Sequence, residues 1–119
     1  MEIIVQHAER NRDTGDVTSY TDVAKVDVSD FVNHGVEEML EYAYRYTNNV
    51  MGSWSIKKEF LPTRDGGEMP NGDYNEDVTV LRQREDGMGQ RSTMVFDRMV
   101  VGDETYTVSP VGFKKVEQV

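Results

Sequence analysis

The stretch RSTMVFDRMVVGDETYTVSPVGF, residues 91–113, decides the fold of this chain. Its first part, Ser92 to Val101, is rich in β-branched and apolar residues and predicts a strand. Gly102-Asp103 suits the tight two-residue turn of a hairpin, and Thr105 to Val108 predicts the strand that returns. The stretch therefore predicts an antiparallel hairpin near the end of the chain.

Segments on either side of this hairpin add further strands. Glu2 to His7 predicts a first strand, Arg10 to Ser19 a turn-rich loop, and the alternating run from Tyr20 a second strand that pairs with the first. After Pro110 ends the hairpin, Gly112 to Val116 predicts a short final strand or tail. These elements extend the predicted antiparallel sheet.

One helix is predicted between the strands. Apolar side chains recur at spacings of three and four over residues 36–50, which places one apolar stripe along a helix that packs on a sheet. Asp30 or Asn33 is the predicted N-cap, and Glu41 is the predicted partner of Arg45 one turn on.

Residues 51–77 form a long connection whose prolines and glycines rule out a continuous helix or a central strand. A connection of this length is usually functional or partly disordered. Val78 and Val80 then predict a short strand. The order β-β-α-β-β-β predicts a single α+β domain over residues 1–119, with one main helix packed on a mostly antiparallel sheet of about five strands.

The charge of the chain restricts its partners. The sequence has 22 acidic and 13 basic side chains, a formal net charge of −9, and ten of the carboxylates lie in residues 1–41. Such a field repels nucleic-acid phosphates and anionic lipid, so we expect neither nonspecific nucleic-acid binding nor membrane binding. The acidic part is either an ordinary solvated surface or a face that mimics DNA or attracts a basic partner.

Composition excludes several kinds of site. The chain has no cysteine, and therefore no disulfide, zinc thiolate or cysteine nucleophile, which suits the cytoplasm. No apolar run is long enough for a signal sequence or a membrane span. We expect no metal or other cofactor: His7 and His34 stand alone, and the acidic run Asp73 to Asp77 lacks the glycine and the closing glutamate of a calcium loop.

The hairpin carries a resemblance to a known group of proteins. The pattern is arginine-serine-(threonine or leucine)-serine-x-(glycine or serine)-aspartate, where x is any residue, followed by a tyrosine and a terminal glycine-phenylalanine. In this chain it is matched by Arg91-Ser92-Thr93, Asp97 and the later Gly112-Phe113. That pattern occurs in YodL-like domains and in short, uncharacterised proteins of tailed bacteriophages and mobile elements.

The resemblance covers roughly residues 36–116, and the chain departs from the pattern at two positions. Met94 replaces the second serine, and Phe96 replaces the small residue before Asp97. The resemblance implies a small α+β accessory domain of phage or mobile-element origin, with a role in host takeover or against host defences. It implies no known reaction.

The polar residues of this motif have two interpretations. Arg91, Ser92, Thr93 and Asp97 could form a ligand or catalytic site, with the guanidinium offering a fork of donors to a carboxylate or phosphate. Alternatively, Arg91 pairs with a nearby acid while Ser92 and Thr93 satisfy backbone groups in a turn.

Aromatic residues supply the other candidates. Trp54 is either a lid over the edge of the core or an exposed anchor for a partner. Tyr42, Tyr44 and Tyr46 alternate along the helix and so cannot share one face, which predicts that at least one meets solvent. Gly112-Phe113 is interpreted as a close backbone approach followed by a side chain that fills the core.

These observations lead to three hypotheses for function. The first is a cytoplasmic accessory protein that binds and occludes a host or viral protein through the helix tyrosines, the 51–77 connection with Trp54, and the Arg91 turn. The second is a small-ligand or catalytic domain that uses Arg91, Ser92 and Asp97. The third is an inhibitor that mimics DNA, which requires acidic side chains in two parallel rows.

Overall fold

The structure, a computed structural model, describes residues 1–31, 33–84 and 86–116. Within them one α-helix packs on a six-stranded sheet, and two further strands form a separate ribbon. The elements are β1 (Glu2–Arg10), β2 (Val17–Asp27), α1 (Val36–Arg45), β3 (Phe60–Pro62), β4 (Glu68–Pro70), β5 (Val78–Val80), β6 (Arg98–Val101), β7 (Glu104–Ser109) and β8 (Gly112–Lys115).

The predicted α+β class with one main helix is confirmed. The main sheet runs in the order β5-β2-β1-β6-β7-β8, and every neighbouring pair is antiparallel. It has six strands instead of about five, because the segment that begins at Gly112, predicted as a short final strand or tail, pairs with β7 as an edge strand. No helix in the described part of the chain is long and apolar enough to cross a membrane.

The first hairpin is longer than its sequence pattern predicts. β1 continues to Arg10 and β2 begins at Val17, so only residues 11–16 form the loop. Polar residues at these strand ends do not follow the period-2 pattern, but most of them pair with the facing strand, as Glu9 does with Ser19. Cross-strand pairing therefore decides these boundaries over local propensity.

The helix begins and ends elsewhere than predicted. Gly35 is the N-cap and makes no side-chain capping bond, so the predictions of Asp30 or Asn33 are wrong. Asp30 instead lies in a short 3₁₀-helix, Ser29–Phe31. The helix ends at Arg45, although the apolar stripe continues in the sequence to residue 50.

Arg45 also has a different partner from the one predicted. Its Nη1 lies 3.0 Å from Oδ1 of Asp73, which is buried, and not against Glu41. A buried carboxylate needs a partner more than an exposed one does, so the long-range pair wins over the local pair.

The hydrophobic core lies between α1 and one face of the main sheet. Met39, Leu40 and Ala43 project from the helix into this layer, and Trp54 joins them from the 51–77 connection. The remaining buried apolar side chains come from the strands, and from Val28 directly after β2, namely Ile3, Val5, Val23, Ala24, Val26, Val28, Val78, Met99, Val101 and Val108.

The decisive stretch folds only partly as predicted. Gly102-Asp103 does join two strands as a two-residue turn, with Val101 paired to Glu104 and a φ of 58° at Gly102 that suits glycine. The predicted strand from Ser92 is wrong before Arg98, because residues 92–97 form a loop.

Candidate functional site

Asp97 is the centre of the motif that the sequence analysis identified. It has no exposed surface, and its two oxygens accept four hydrogen bonds. Arg91 donates from Nη1 to Oδ2 at 2.6 Å and from Nη2 to Oδ1 at 2.8 Å. The backbone N–H groups of Ala8 and Met94 donate the other two, each at 2.8 Å.

These bonds keep both members of the ion pair charged. Burial alone would raise the pKa of Asp97, but the bonds from Arg91, Ala8 and Met94 outweigh it and hold that pKa below its usual value. The bond to Asp97 likewise raises the pKa of Arg91. Asp97 accepts the backbone N–H of Ala8, and Arg91 donates to the carbonyl of Ala8 at 3.4 Å, so the pair holds the 91–97 loop against β1.

Ser92 and Thr93 attach the same loop to the residues that follow the helix. The backbone N–H of Asn49 donates to Oγ of Ser92 at 2.8 Å, and the backbone N–H of Thr93 donates to the carbonyl of Thr47 at 2.9 Å. All four polar residues of the motif thus make contacts that hold the fold together, which is the structural interpretation of the two given above.

A chain of hydrogen bonds runs from β1 to the helix through Thr93. Oγ1 of Thr47 donates to the carbonyl of Ala43 at 2.8 Å, and a carbonyl can only accept. Oγ1 of Thr47 must therefore accept the proton of Thr93, at 2.8 Å, so Thr93 accepts from Nε2 of His7, at 3.0 Å. This order places the proton of neutral His7 on Nε2 and leaves a lone pair on Nδ1.

His7 is held in its neutral form. Burial, together with the positive charge of Arg91, lowers the pKa of His7 to about 4. Its Nε2 contacts Thr93 and not Ser92, so the described residues contain no serine-histidine pair in this motif.

Trp54 is a core residue and not an exposed anchor. Its side chain is fully buried, its Nε1 donates to the carbonyl of Arg91 at 2.9 Å, and its ring meets that of His7 edge-on at 6.1 Å. The prediction of a lid over the core is the correct one of the two. Trp54 thereby fixes the 51–77 connection to the motif.

The three helix tyrosines are half-buried, and each packs against the core. Tyr42 donates from its hydroxyl to Asp77 at 2.7 Å, and burial together with this bond raises its pKa to about 12. The ring of Tyr44 meets that of Phe113 edge-on at 6.1 Å, and Arg45 stacks over the ring of Tyr46. Their contacts within the chain leave none of them fully exposed.

Gly112 and Phe113 lie at the rim of the core. Gly112 has a φ of 111°, so its backbone conformation requires glycine, whereas an added Cβ would meet Glu37 only at an ordinary 3.6 Å. The predicted close approach is therefore wrong. Phe113 is only half-buried, so it does not fill the core but forms, with Tyr44 and Val108, the wall of a cavity of about 220 Å³.

The 51–77 connection is ordered by two buried polar residues that the sequence analysis did not select. The amide of Asn71 donates to the carbonyls of Ser53, Ile56 and Lys58 at 2.9 to 3.2 Å. Asp73 accepts the backbone N–H groups of residues 50 and 51 at 2.8 and 2.9 Å. The turn residues of Asn71-Gly72-Asp73 were the available signal, because such side chains bind nearby backbone.

The bonds of Asn71 join the two ends of a ribbon made of β3 and β4. The two strands pair with each other and, within the described residues, with no strand of the main sheet. Phe60 is 52% exposed and Met69 46% exposed, although large apolar side chains are usually covered. The ribbon therefore presents apolar side chains and unpaired strand edges to solvent.

A second cavity, of about 290 Å³, lies beside the motif. Its wall includes His7, Glu9, Arg82, Arg84 and Arg91. Three of its lining residues are therefore arginines.

Comparison of the chain with protein-family models, with curated proteins and with solved structures found no match.

Proposed function

We propose that this chain is a stoichiometric binding protein, and that the β3–β4 ribbon is its contact surface for a host or phage protein. The observation that carries this proposal is the exposure of Phe60 and Met69 on a ribbon whose position is fixed by buried hydrogen bonds. A surface that is already ordered loses little conformational entropy when it binds. Exposed aromatic and methionine side chains are typical of interface centres.

The ribbon offers two kinds of contact to a protein partner. Phe60 faces the same side as Pro70, and Leu61 the same side as Met69, because directly paired residues share a face. The outer edges of both strands can also accept an added strand of the partner. The resemblance to phage proteins supports a partner in the bacterial host, and the net charge of −9 favours one with a basic surface.

Affinity capture with matched variants tests this proposal. The tagged protein is incubated with lysate of the bacterial host, and captured proteins are quantified by mass spectrometry at low and moderate salt. Phe60→Ser combined with Met69→Ser, which removes an exposed apolar side chain from each face of the ribbon, is expected to lose the partner while the buried supports remain. Val111→Ser is the control, since Val111 is 93% exposed but lies outside the ribbon.

The outcomes separate the hypotheses. A partner retained at moderate salt and lost only in the ribbon variant supports the proposal, because apolar contacts are not screened by salt. A partner bound equally by the ribbon variant, or no partner at all, contradicts it. A partner that is lost with salt in every variant would indicate binding through the acidic surface instead.

A further inference from the structure

The cavity of about 290 Å³ lies between β1 and residues 82, 84, 90 and 91, and three arginines line it. They are Arg82, Arg84 and Arg91, whereas the chain as a whole carries a net charge of −9. Guanidinium groups match the geometry of oxyanions, to which they donate paired hydrogen bonds. The cavity is therefore a local concentration of basic side chains on an acidic protein.

Arg82 and Arg84 can turn toward a ligand. Arg82 reaches Glu9 through Nη1 at 3.5 Å, and Arg84 reaches Asp86 through Nη2 at 2.6 Å. Both pairs are about half exposed, and exposed pairs contribute little free energy. Each pair also occupies one terminal nitrogen of the guanidinium, so the other remains to donate.

Arg91 has a different role in the cavity. Its Nη1 and Nη2 are bound to Asp97, so this side chain is a fixed wall whose charge is largely balanced. The attraction for an anion consequently depends on Arg82 and Arg84.

The wall also contains a group that only accepts hydrogen bonds. The carboxylate of Glu9 has no proton to donate. Such an acceptor repels an oxyanion that has no proton, and it binds one that carries an O–H group.

We propose that this cavity binds hydrogen phosphate, with Arg82 and Arg84 holding its charged oxygens and Glu9 accepting its O–H. Sulfate has the same shape and charge but no proton, so the site discriminates between the two ions. This site is separate from the β3–β4 ribbon, and its existence does not depend on the protein-binding proposal.

Titration calorimetry with inorganic phosphate and with sulfate tests the assignment. At mildly alkaline pH, where hydrogen phosphate predominates, phosphate is expected to bind about tenfold more tightly than sulfate, a difference of about 1.4 kcal/mol. Arg82→Ala combined with Arg84→Ala is expected to weaken phosphate binding by about tenfold or more. Arg12→Ala, which removes one charge from the first hairpin, should change it by less than about twofold.

Glu9→Gln tests the recognition of the proton. Removal of this carboxylate is expected to strengthen sulfate binding and so reduce the preference for phosphate, while thermal unfolding confirms that the variant is folded. Equal affinity for the two ions in the unchanged protein, full binding by the double arginine variant, or no heat up to roughly 10 mM phosphate would each overturn the proposal.

Discussion

Arg91 and Asp97 form a two-pronged ion pair in which each terminal nitrogen of the guanidinium reaches a separate carboxylate oxygen, at 2.6 and 2.8 Å. The side chain of Arg91 is 40% exposed, whereas that of Asp97 is 1% exposed. The two ends of the pair are therefore unequal, because loss of the arginine strands a buried charge and loss of the aspartate leaves a charge that can reach water.

Arg91→Ala is expected to lower the free energy of unfolding by about 3–5 kcal/mol, the usual cost of leaving a buried charge without its partner. Urea denaturation measures this change. Lys115→Ala is the control, because it breaks the exposed pair with Glu104 and should cost less than about 1 kcal/mol. Similar small losses in both variants would show that the Arg91 pair is no more than a surface contact.

The stability of the protein should fall in weak acid because of His7. The pKa of His7 is lowered from 6.5 to about 4 by burial and by Arg91, so below pH 6.5 the unfolded chain binds a proton that the folded chain does not. The part of the free energy of unfolding that depends on neutral His7 is fully present above pH 6.5. It is lost as the pH falls toward 4, by up to about 3 kcal/mol.

His7→Gln should flatten this pH dependence, since the amide keeps a donor for Thr93 but does not titrate in this range. Urea denaturation at a series of pH values provides the comparison. His34→Gln, which changes the exposed histidine beside Glu38, should retain the slope of the unchanged protein. A slope that survives in His7→Gln would assign the acid sensitivity to another group.

At position 96 we expect glycine to give a more stable protein than alanine, which reverses their usual order. The φ of 78° at Phe96 is a left-handed conformation that costs a residue with a Cβ about 1–2 kcal/mol. Phe96→Gly removes this strain and Phe96→Ala keeps it, while both lose the contact of Arg10 over the ring. We expect the glycine variant to be more stable than the alanine variant by about 1 kcal/mol, as measured by thermal unfolding. An alanine variant of equal or higher stability would contradict the assignment of strain.

Phe96 also shows what could be learned from the sequence. A positive φ favours glycine, so a phenylalanine at this position gives no local sign of the turn. The neighbouring run of apolar and β-branched residues predicted a strand instead. The bonds to Asp97 override that propensity and turn the chain back on itself.

Local patterns predicted the elements that local interactions control. The two-residue turn at Gly102 and the apolar face of α1 follow from backbone freedom and residue spacing. The pairs of Arg45 with Asp73 and of Trp54 with the carbonyl of Arg91 join residues that are 28 and 37 positions apart. No periodicity marks such contacts, and for that reason the ribbon supports and the arginine cavity were not predicted.

Asn71 also affects how the protein ages chemically. An asparagine followed by glycine is the step most open to loss of its amide, through attack by the next backbone nitrogen. In the folded chain Asn71 is buried, and the N–H of Gly72 donates to the carbonyl of Met51. Damage therefore proceeds mainly while the connection is open, and it replaces the amide that donates to three carbonyls with a carboxylate that cannot. The rate at which Asn71 loses its amide thus depends on how often this segment opens.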